Sequence, residues 1–307
     1  MADTPRMLPV IQPGTAPSAP PVFDRVAIVG LGLIGGSLAL AVRETWPTGM
    51  VIGVDDKPVL ERAMVRHAID VAADDPVVMA DADLVVLAAP VRTNLALLAD
   101  RAEHVRGAAV VTDVGSTKRD LVAAARALPS RLTFVGGHPL GGAPRSGIDH
   151  ARPDLFRDRP WLFTPSGDHH GAALEKLRRF VAGFGAVPHV LAPDAHDRLL
   201  AFLSHVPQLT ASVLMHVVGD AIGEDGLALS GRGLADTTRL ASSPADIWRD
   251  ICATNADEIG TALDELIREL QAARDHLADG KAVDRIFDSA SRWRAALAAR
   301  RRAPQGE

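Results

Sequence analysis

Cysteine is nearly absent from this chain: Cys252 is the only one among 307 residues. An internal disulfide and a thiol-rich zinc site are therefore both excluded, no metal site is indicated elsewhere, and a reducing, cytoplasmic compartment is expected. Tyrosine is missing altogether, and lysine occurs only at positions 57, 118, 176 and 281, so nearly all positive charge is arginine. Excess positive charge is lacking too: 33 basic against 38 acidic side chains give a net charge of -5. Nothing global draws the chain to nucleic acid or to an anionic membrane, and a small-molecule partner is the expectation. No stretch approaches the roughly 20 consecutive apolar residues of a membrane span. Prolines 5, 9, 13, 17, 20 and 21 interrupt every apolar start near the N-terminus, which denies it a signal-peptide core. Residues 1–22 read as a disordered extension.

What is present is ordinary globular composition, 47% apolar and 23% charged. The length is about twice that of a usual domain and predicts two, divided as 23–192 and 193–302. In the first, short apolar runs alternate with helical stretches: RVAIV (25–29), VIGV (51–54), LVVLAA (84–89), AAVVT (108–112), TFVG (133–136), WLFT (161–164) and PHVLA (188–192). Helices are expected from Ser37 to Trp46, Pro58 to about His67, Asn94 to Ala102 and Lys118 to Leu128. Strands joined by helices imply crossover connections, hence a Rossmann-like, doubly wound, mostly parallel α/β sheet.

The second half reads as all helical. Asp194 is expected to cap a helix reaching about Val218, bent or broken at Pro207. Ser243-Pro244-Ala245-Asp246 has the order of a helix start running through Trp248. Ile259, Leu263, Leu266, Leu270, Ala273 and Leu277 form one apolar stripe on a helix that Gly280 is expected to end. A last helix carries Ile286, Phe287, Ala290, Trp293 and Leu297. Long amphipathic helices of this kind commonly bury their stripes against a second copy, so a homodimer is expected.

The chemistry begins with Gly30-Leu31-Gly32-Leu33-Ile34-Gly35, a G-x-G-x-x-G between strand and helix. Gly30 permits the tight turn, Gly32 lets a pyrophosphate approach the backbone, and the helix N-terminus faces the phosphates. Gly35, Leu33 and Ile34 complete the cofactor set, together with Pro90 after the 84–89 strand. Asp55 is placed to accept hydrogen bonds from an adenine ribose, and with Asp56 it would repel a 2'-phosphate. NAD is therefore favoured over NADP. Asp113-Val114-Gly115-Ser116-Thr117-Lys118 and Gly136-Gly137-His138-Pro139-Leu140-Gly141-Gly142 follow two further strands, where such sheets bind ligands. Ser116 reads either as a site hydroxyl or as a helix cap. A neutral His138 could take a proton from a substrate hydroxyl, the plainer alternative being a turn histidine bonded to backbone. His169-His170 read as a surface pair at a helix start.

In the helical half, His205 and Gln208 of Ser204-His205-Val206-Pro207-Gln208 share one helix side, either as site residues or as partners of the carbonyl that Pro207 frees. Gly231-Arg232-Gly233-Leu234-Ala235-Asp236-Thr237-Thr238-Arg239 enters a helix. Arg239 could clamp a carboxylate with both its nitrogens, oriented by Asp236 one turn earlier; a surface ion pair is the alternative.

GLGLIGGS (30–37), DVGSTK (113–118), GGHPLGG (136–142), SHVPQ (204–208) and GRGLADTTRLASSPADIWRDI (231–251), in this order, resemble the prephenate/arogenate dehydrogenases of tyrosine biosynthesis. The resemblance covers about residues 24–275. It implies an NAD-binding domain, a helical dimerisation domain, and oxidative decarboxylation of a cyclohexadienyl substrate. His138 is implied as the group bonded to the ring hydroxyl, Ser116 as its neighbour there, and Arg239 as the carboxylate clamp, with Trp248 on the supporting helix. His205, Gln208 and Asp236 join the implied substrate set. The chain departs from many prephenate-using relatives in having Gln208 in place of a second histidine, and from some in having Pro144 in place of an acid. A neutral Gln208 favours prephenate over arogenate, whose ammonium group would want an acidic partner. A β-hydroxyacid dehydrogenase or imine reductase, or a non-catalytic NAD-binding dimer, are the more distant alternatives; the first needs an interdomain lysine, and the helical half offers only Lys281.

Overall fold

A computed structural model of the chain describes residues 20–75, 79–101, 104–142, 145–166 and 171–302. Residues 1–19 of the expected extension, His169-His170 and Pro144 lie outside these. Val22, by contrast, packs against the core, so the globular part begins slightly before Phe23.

Eight strands form one sheet in the order β3-β2-β1-β4-β5-β6-β7-β8. They are β1 (Arg25–Val29), β2 (Met50–Val54), β3 (Val71–Ala73), β4 (Leu84–Leu87), β5 (Ala109–Asp113), β6 (Leu132–Pro139), β7 (Pro160–Pro165) and β8 (Val187–Val190). All neighbours are parallel except β6 and β7. Both faces are covered, which is why the central strands are apolar throughout and not alternating: β4 is buried at every position. Strand β3 has no counterpart in the sequence reading, because Val71-Ala72-Ala73 is too short and too weakly apolar to register as a run. Strand β6 extends past the expected TFVG, so His138 lies within the strand, opposite Leu162 of β7, and not in a turn after it.

Helices α1 (Leu33–Thr45), α2 (Lys57–Val65), α3 (Val91–Arg101), α4 (Arg119–Ala124) and α5 (Gly171–Gly183) cover the sheet. Most of the few aromatic side chains gather on one face: Phe23, Trp46, Phe156, Trp161, Phe163, Phe180 and Phe184 share a buried cluster. Each such burial contributes about 1.5–3 kcal/mol.

After β8 every element is helical: α6 (Pro193–Leu200), α7 (Val206–Leu227), α8 (Arg232–Thr238), α9 (Ala245–Thr254), α10 (Ala256–Asp275) and α11 (Gly280–Arg302). Asp194 lies in the first turn of α6, and Ala192 is at its N-cap. Between α6 and α7 the residues Ala201–His205 form a π-helical turn, closed by Val206 N–H donating to the Ala201 carbonyl. This widening answers Pro207, whose ring has no N–H for the carbonyl one turn back; the rod is widened and not broken. It continues from Pro193 through the π turn to Gly223, whose non-helical backbone (φ +61°, ψ -173°) kinks it before the last turn to Leu227. Over those 35 residues it is long and apolar enough, by length and composition, to cross a membrane, its most apolar stretch having a mean hydropathy of 1.3. That corrects the expectation that no stretch comes near such a length. Buried His196, Asp197, His205 and Gln208 along the rod are nonetheless the marks of a helix packed on protein.

Two boundaries differ from expectation for local reasons. Helix α10 ends at Asp275, and Gly280 opens α11. Helix α9 runs beyond Trp248 to Thr254 with Pro244 as its N-cap, because the Ser243 hydroxyl is used elsewhere, donating to Gln208 Oε1 at 3.2 Å. An apolar groove between α10 and α11 is lined by Leu266, Leu270, Leu277, Ile286, Phe287 and Trp293.

Candidate active site

The carboxyl ends of β1, β2, β4, β5 and β6 lie along one edge of the sheet, and the motifs gather there. Gly30 has φ +95°, and a Cβ there would sit 2.8 Å from the Ala88 and Ala89 backbone; only glycine fits so close under the β4 turn. Among the described residues nothing would lie within 4 Å of a Cβ at Gly32, so the backbone at the start of α1 is open to a ligand. Gly35 packs on the Gly30 carbonyl, and Leu33 and Ile34 are half-buried. Asp55 Oδ2 accepts from Leu31 N–H at 2.5 Å and Oδ1 from Asp56 N–H at 2.7 Å. The carboxylate is thereby locked beside the glycine turn with lone pairs remaining. Pro90 is exposed on the adjacent turn, its carbonyl accepting from Asn94 N–H at 2.8 Å. The buried Asn94 side chain braces that turn through Ala89 N–H and the Leu87 carbonyl. These features fit a dinucleotide: open backbone at a helix N-terminus for phosphate, a fixed acid for ribose.

Next to it lies a buried polar cluster. Asp113, at the end of β5, accepts from Gly115 N–H at 2.7 Å and Gly137 N–H at 3.1 Å, and pairs with the Lys118 ammonium. One carboxylate thus holds the segment before Ser116 against the segment before His138. Lys118 Nζ also donates to the Gly137 carbonyl at 2.8 Å. Burial lowers the Lys118 pKa, opposed by the charge of Asp113. Ser116 is half-buried, and its hydroxyl has no partner among the described residues. It does not cap α4; Asp197 of α6 does that from across the domain boundary. Asp197 accepts Lys118 N–H at 2.8 Å on Oδ1 and Arg119 N–H at 2.9 Å on Oδ2, satisfying two donors that the start of a helix leaves free.

His138 is 9% exposed and 2.9 Å through Nδ1 from His196 Nε2. His196 Nδ1 is in turn 2.7 Å from Asp197 Oδ1. Among the described residues, His138 Nε2 has no hydrogen-bond partner, yet it is not one of the atoms sealed from solvent. Burial above all, then the neighbouring His196, Lys118 and His205, push the His138 pKa well below 6.5. At neutral pH this imidazole is uncharged and can accept a proton.

His205 is 1% exposed, its Nδ1 3.2 Å from Asn255 Nδ2 and its ring edge-on to Trp248. Burial lowers its pKa to about 4. Gln208 differs from expectation. Its amide is taken up internally, donating to the Leu240 carbonyl at 2.7 Å and Ser212 Oγ at 3.3 Å and accepting from Ser243. It anchors both ends of the 3-10 turn Arg239–Ser242 and has little left for a substrate. Arg239 opens that turn, exposed and without an ion pair among the described residues. Asp236 makes no hydrogen bond or ion pair with it, because α8 stops at Thr238 and the helical spacing assumed between the two is broken. The structure brings His138 together with His196, Asp197 and Lys118, and does not bring Arg239 into contact with His138.

His196, Asp197, Asp113, Lys118, Arg119 and Asn255 escaped the sequence reading. Asp113 and Lys118 stand in the 113–118 motif, where nothing in the sequence shows that they pair, whereas His196-Asp197 offers no signal beyond a capping region.

The comparisons agree with this layout. The family model described as prephenate dehydrogenase, nucleotide-binding domain, matches residues 38–190, and the one described as prephenate dehydrogenase, dimerization domain, matches residues 192–288. A prephenate dehydrogenase of Bacillus subtilis is 34% identical over 288 residues, which cover 91% of this chain and 77% of that protein. The solved prephenate dehydrogenase of Aquifex aeolicus, in complex with hydroxyphenyl propionate and NAD+, superposes with a TM-score of 0.82 at 27% identity, covering 89% of this chain and 98% of that one. Synechocystis arogenate dehydrogenase does so with a TM-score of 0.77 at 26% identity, covering 89% and 99%. An edge built for a dinucleotide, a buried neutral imidazole beside it and a helical half matched over residues 192–288 by the second model place this chain in the prephenate dehydrogenase family.

Proposed function

We propose that this protein is an NAD-dependent prephenate dehydrogenase, with His138 as its base. The observation that carries this is the uncharged His138, bonded at Nδ1 and open at Nε2, at the carboxyl edge of the sheet. Gly30, Gly32, Leu33, Ile34, Gly35, Asp55 and Pro90 would hold the cofactor, which supplies the hydride acceptor. His138 Nε2 accepts the proton of the ring hydroxyl, pushing electron density toward the carbon that loses hydride. The electron pair of the departing carboxylate then closes the aromatic ring, and the proton returns to the phenol oxygen. The net products are 4-hydroxyphenylpyruvate, carbon dioxide and NADH, with no proton gained or lost. Ser116 supports the same hydroxyl, and Arg239 reaches a substrate carboxylate from the exposed turn. Orientation and fixed dipoles supply most of the acceleration.

The keto substrate is favoured over arogenate by the acids of the site. Both buried carboxylates are already engaged, Asp113 by its counter-ion Lys118 and two backbone N–H groups and Asp197 by four donors, so neither is free to receive an ammonium group. The α10/α11 groove and the exposed Val213, Val217 and Ile222 of α7 suit burial against a second copy. The free, half-buried Cys252 suits a reducing cytoplasm. NADH production measured with prephenate and arogenate side by side tests the reading: faster turnover of prephenate supports it, and turnover of neither overturns it.

A further inference from the structure

His138 can serve as a base only if its open nitrogen carries the lone pair. A neutral imidazole has one N–H and one lone pair, and the bond made by one nitrogen decides the state of the other. The chain of contacts behind His138 settles this from its far end. Asp197 is 0% exposed, and burial tends to raise its pKa, but the bond from His196 and the backbone N–H groups of Arg119 and Lys118 outweigh that and hold it low. It is a carboxylate, and a carboxylate only accepts. The proton between it and His196 therefore belongs to His196 Nδ1. His196 is itself held below 6.5, first by burial, so it is neutral and its Nε2 is left as an acceptor. Across the 2.9 Å contact the proton must then lie on His138 Nδ1. His138 Nε2, facing away from the chain, keeps its lone pair.

Among the described residues the neighbouring charged groups are bound elsewhere, and His205 Nε2 makes no hydrogen bond to either ring of the chain. Lys118 Nζ is engaged by Asp113 and the Gly137 carbonyl, His205 Nδ1 by Asn255, and Arg119 by Asp197, Asp257 and Asn255. We propose that Asp197, acting through His196, is a positioning residue that fixes His138 as its Nδ1–H tautomer and so aims the Nε2 lone pair at the reacting hydroxyl. The relay passes from the helical half into the sheet half, so the base is set by a residue of the other domain. When the substrate proton moves to His138 Nε2, the imidazolium keeps its Nδ1–H bond to His196, whose own Nδ1–H stays on Asp197. The positive charge thus forms two hydrogen bonds from a fixed carboxylate, and nothing in the relay is oxidised or reduced.

This rests on His138 being the base, and the test separates the two statements. Long-range proton–nitrogen correlation spectra of the intact enzyme, with His138 identified by its loss in His138→Asn, should show Nδ1 protonated and Nε2 bare. The opposite tautomer would overturn the proposal without any variant of Asp197, which also caps α4 and could disturb folding. His196→Met, which removes the acceptor, should lower kcat by about 10²-fold with KM within a factor of about 2–3, and should erase the tautomer preference. His196→Gln can place an amide oxygen near the lost nitrogen and should recover part of that rate. If His138→Asn abolishes turnover but His196→Met leaves both rate and tautomer unchanged, the base stands and the relay does not. If His138→Asn is fully active, the base reading itself fails.

Discussion

Two regions of this molecule contribute to one proposed reaction and are built in opposite ways. Around His138 the ionisable groups are buried and held by fixed partners: Asp113, Lys118, His196 and Asp197 are all 0% exposed. Around Arg239 the side chain is exposed, and only the backbone of its short turn is anchored, by Gln208. The first arrangement suits proton transfer, which needs sub-ångström geometry and a tuned pKa. The second suits capture of an anion, where a mobile guanidinium can search and then clamp. In the proposed reaction, catalysis is thus set in the interior and recognition at the rim.

The contrast can be broken by substitution, and the largest expected effect is at the base. His138→Asn should lower kcat by about 10³–10⁴-fold while leaving the dissociation constant of NAD, measured by fluorescence titration, nearly unchanged. Full activity would move the chemistry away from this edge. Lys118→Met should act on folding, because it leaves Asp113 charged, buried and short of its counter-ion. A loss of about 3–5 kcal/mol in urea unfolding is expected, and a change below about 1 kcal/mol would show that the interior pair is dispensable.

At the rim, Arg239→Gln should raise KM for the substrate by about 10- to 150-fold, the worth of charge-assisted hydrogen bonds, with a smaller change in kcat. An unaltered KM would remove the clamp. Gln208→Ala, which frees the turn without touching the guanidinium, should raise KM by about 2- to 10-fold; an equal fall in kcat would place Gln208 nearer the chemistry than its bonds suggest.

Acid should also act on the first of the two regions. The buried histidines have pKa values below their ordinary 6.5, His205 at about 4. A histidine depressed in the folded state contributes stability that is complete above pH 6.5 and is lost as pH falls toward the folded value. Stability to urea should therefore be level from pH 8 to 7 and decline between about 6.5 and 4, and a profile flat down to pH 4 would contradict the burial of these rings.

Much of the dinucleotide edge was legible in the sequence because its rules are local. A glycine with positive φ, a helix N-terminus and an acid after the next strand each leave a mark within a few residues of the chemistry. His138 was legible for the same reason, although its place inside β6 and not after it was not, since flanking glycines look like a turn until β7 pairs with them. The partners of His138 were not legible. His196 is 58 positions away, and only packing of α6 on α4 gives meaning to His196-Asp197. Asp236 and Gln208 misled for a related reason: spacing presumes a continuous helix, whereas α8 gives way to a 3-10 turn and that turn consumes the Gln208 amide.

The five-residue π turn at Ala201–His205 has a consequence of its own. A helix that takes in one extra residue per turn is rotated by about 100° beyond that point, so the rod can present His196 and Asp197 to the sheet and, farther on, His205 and Gln208 to α9, α10 and the Arg239 turn. Removing a single amino acid there would return the rod to regular winding and swing its distal half around its axis, uncoupling the surface that braces the Arg239 turn from the one that meets His138.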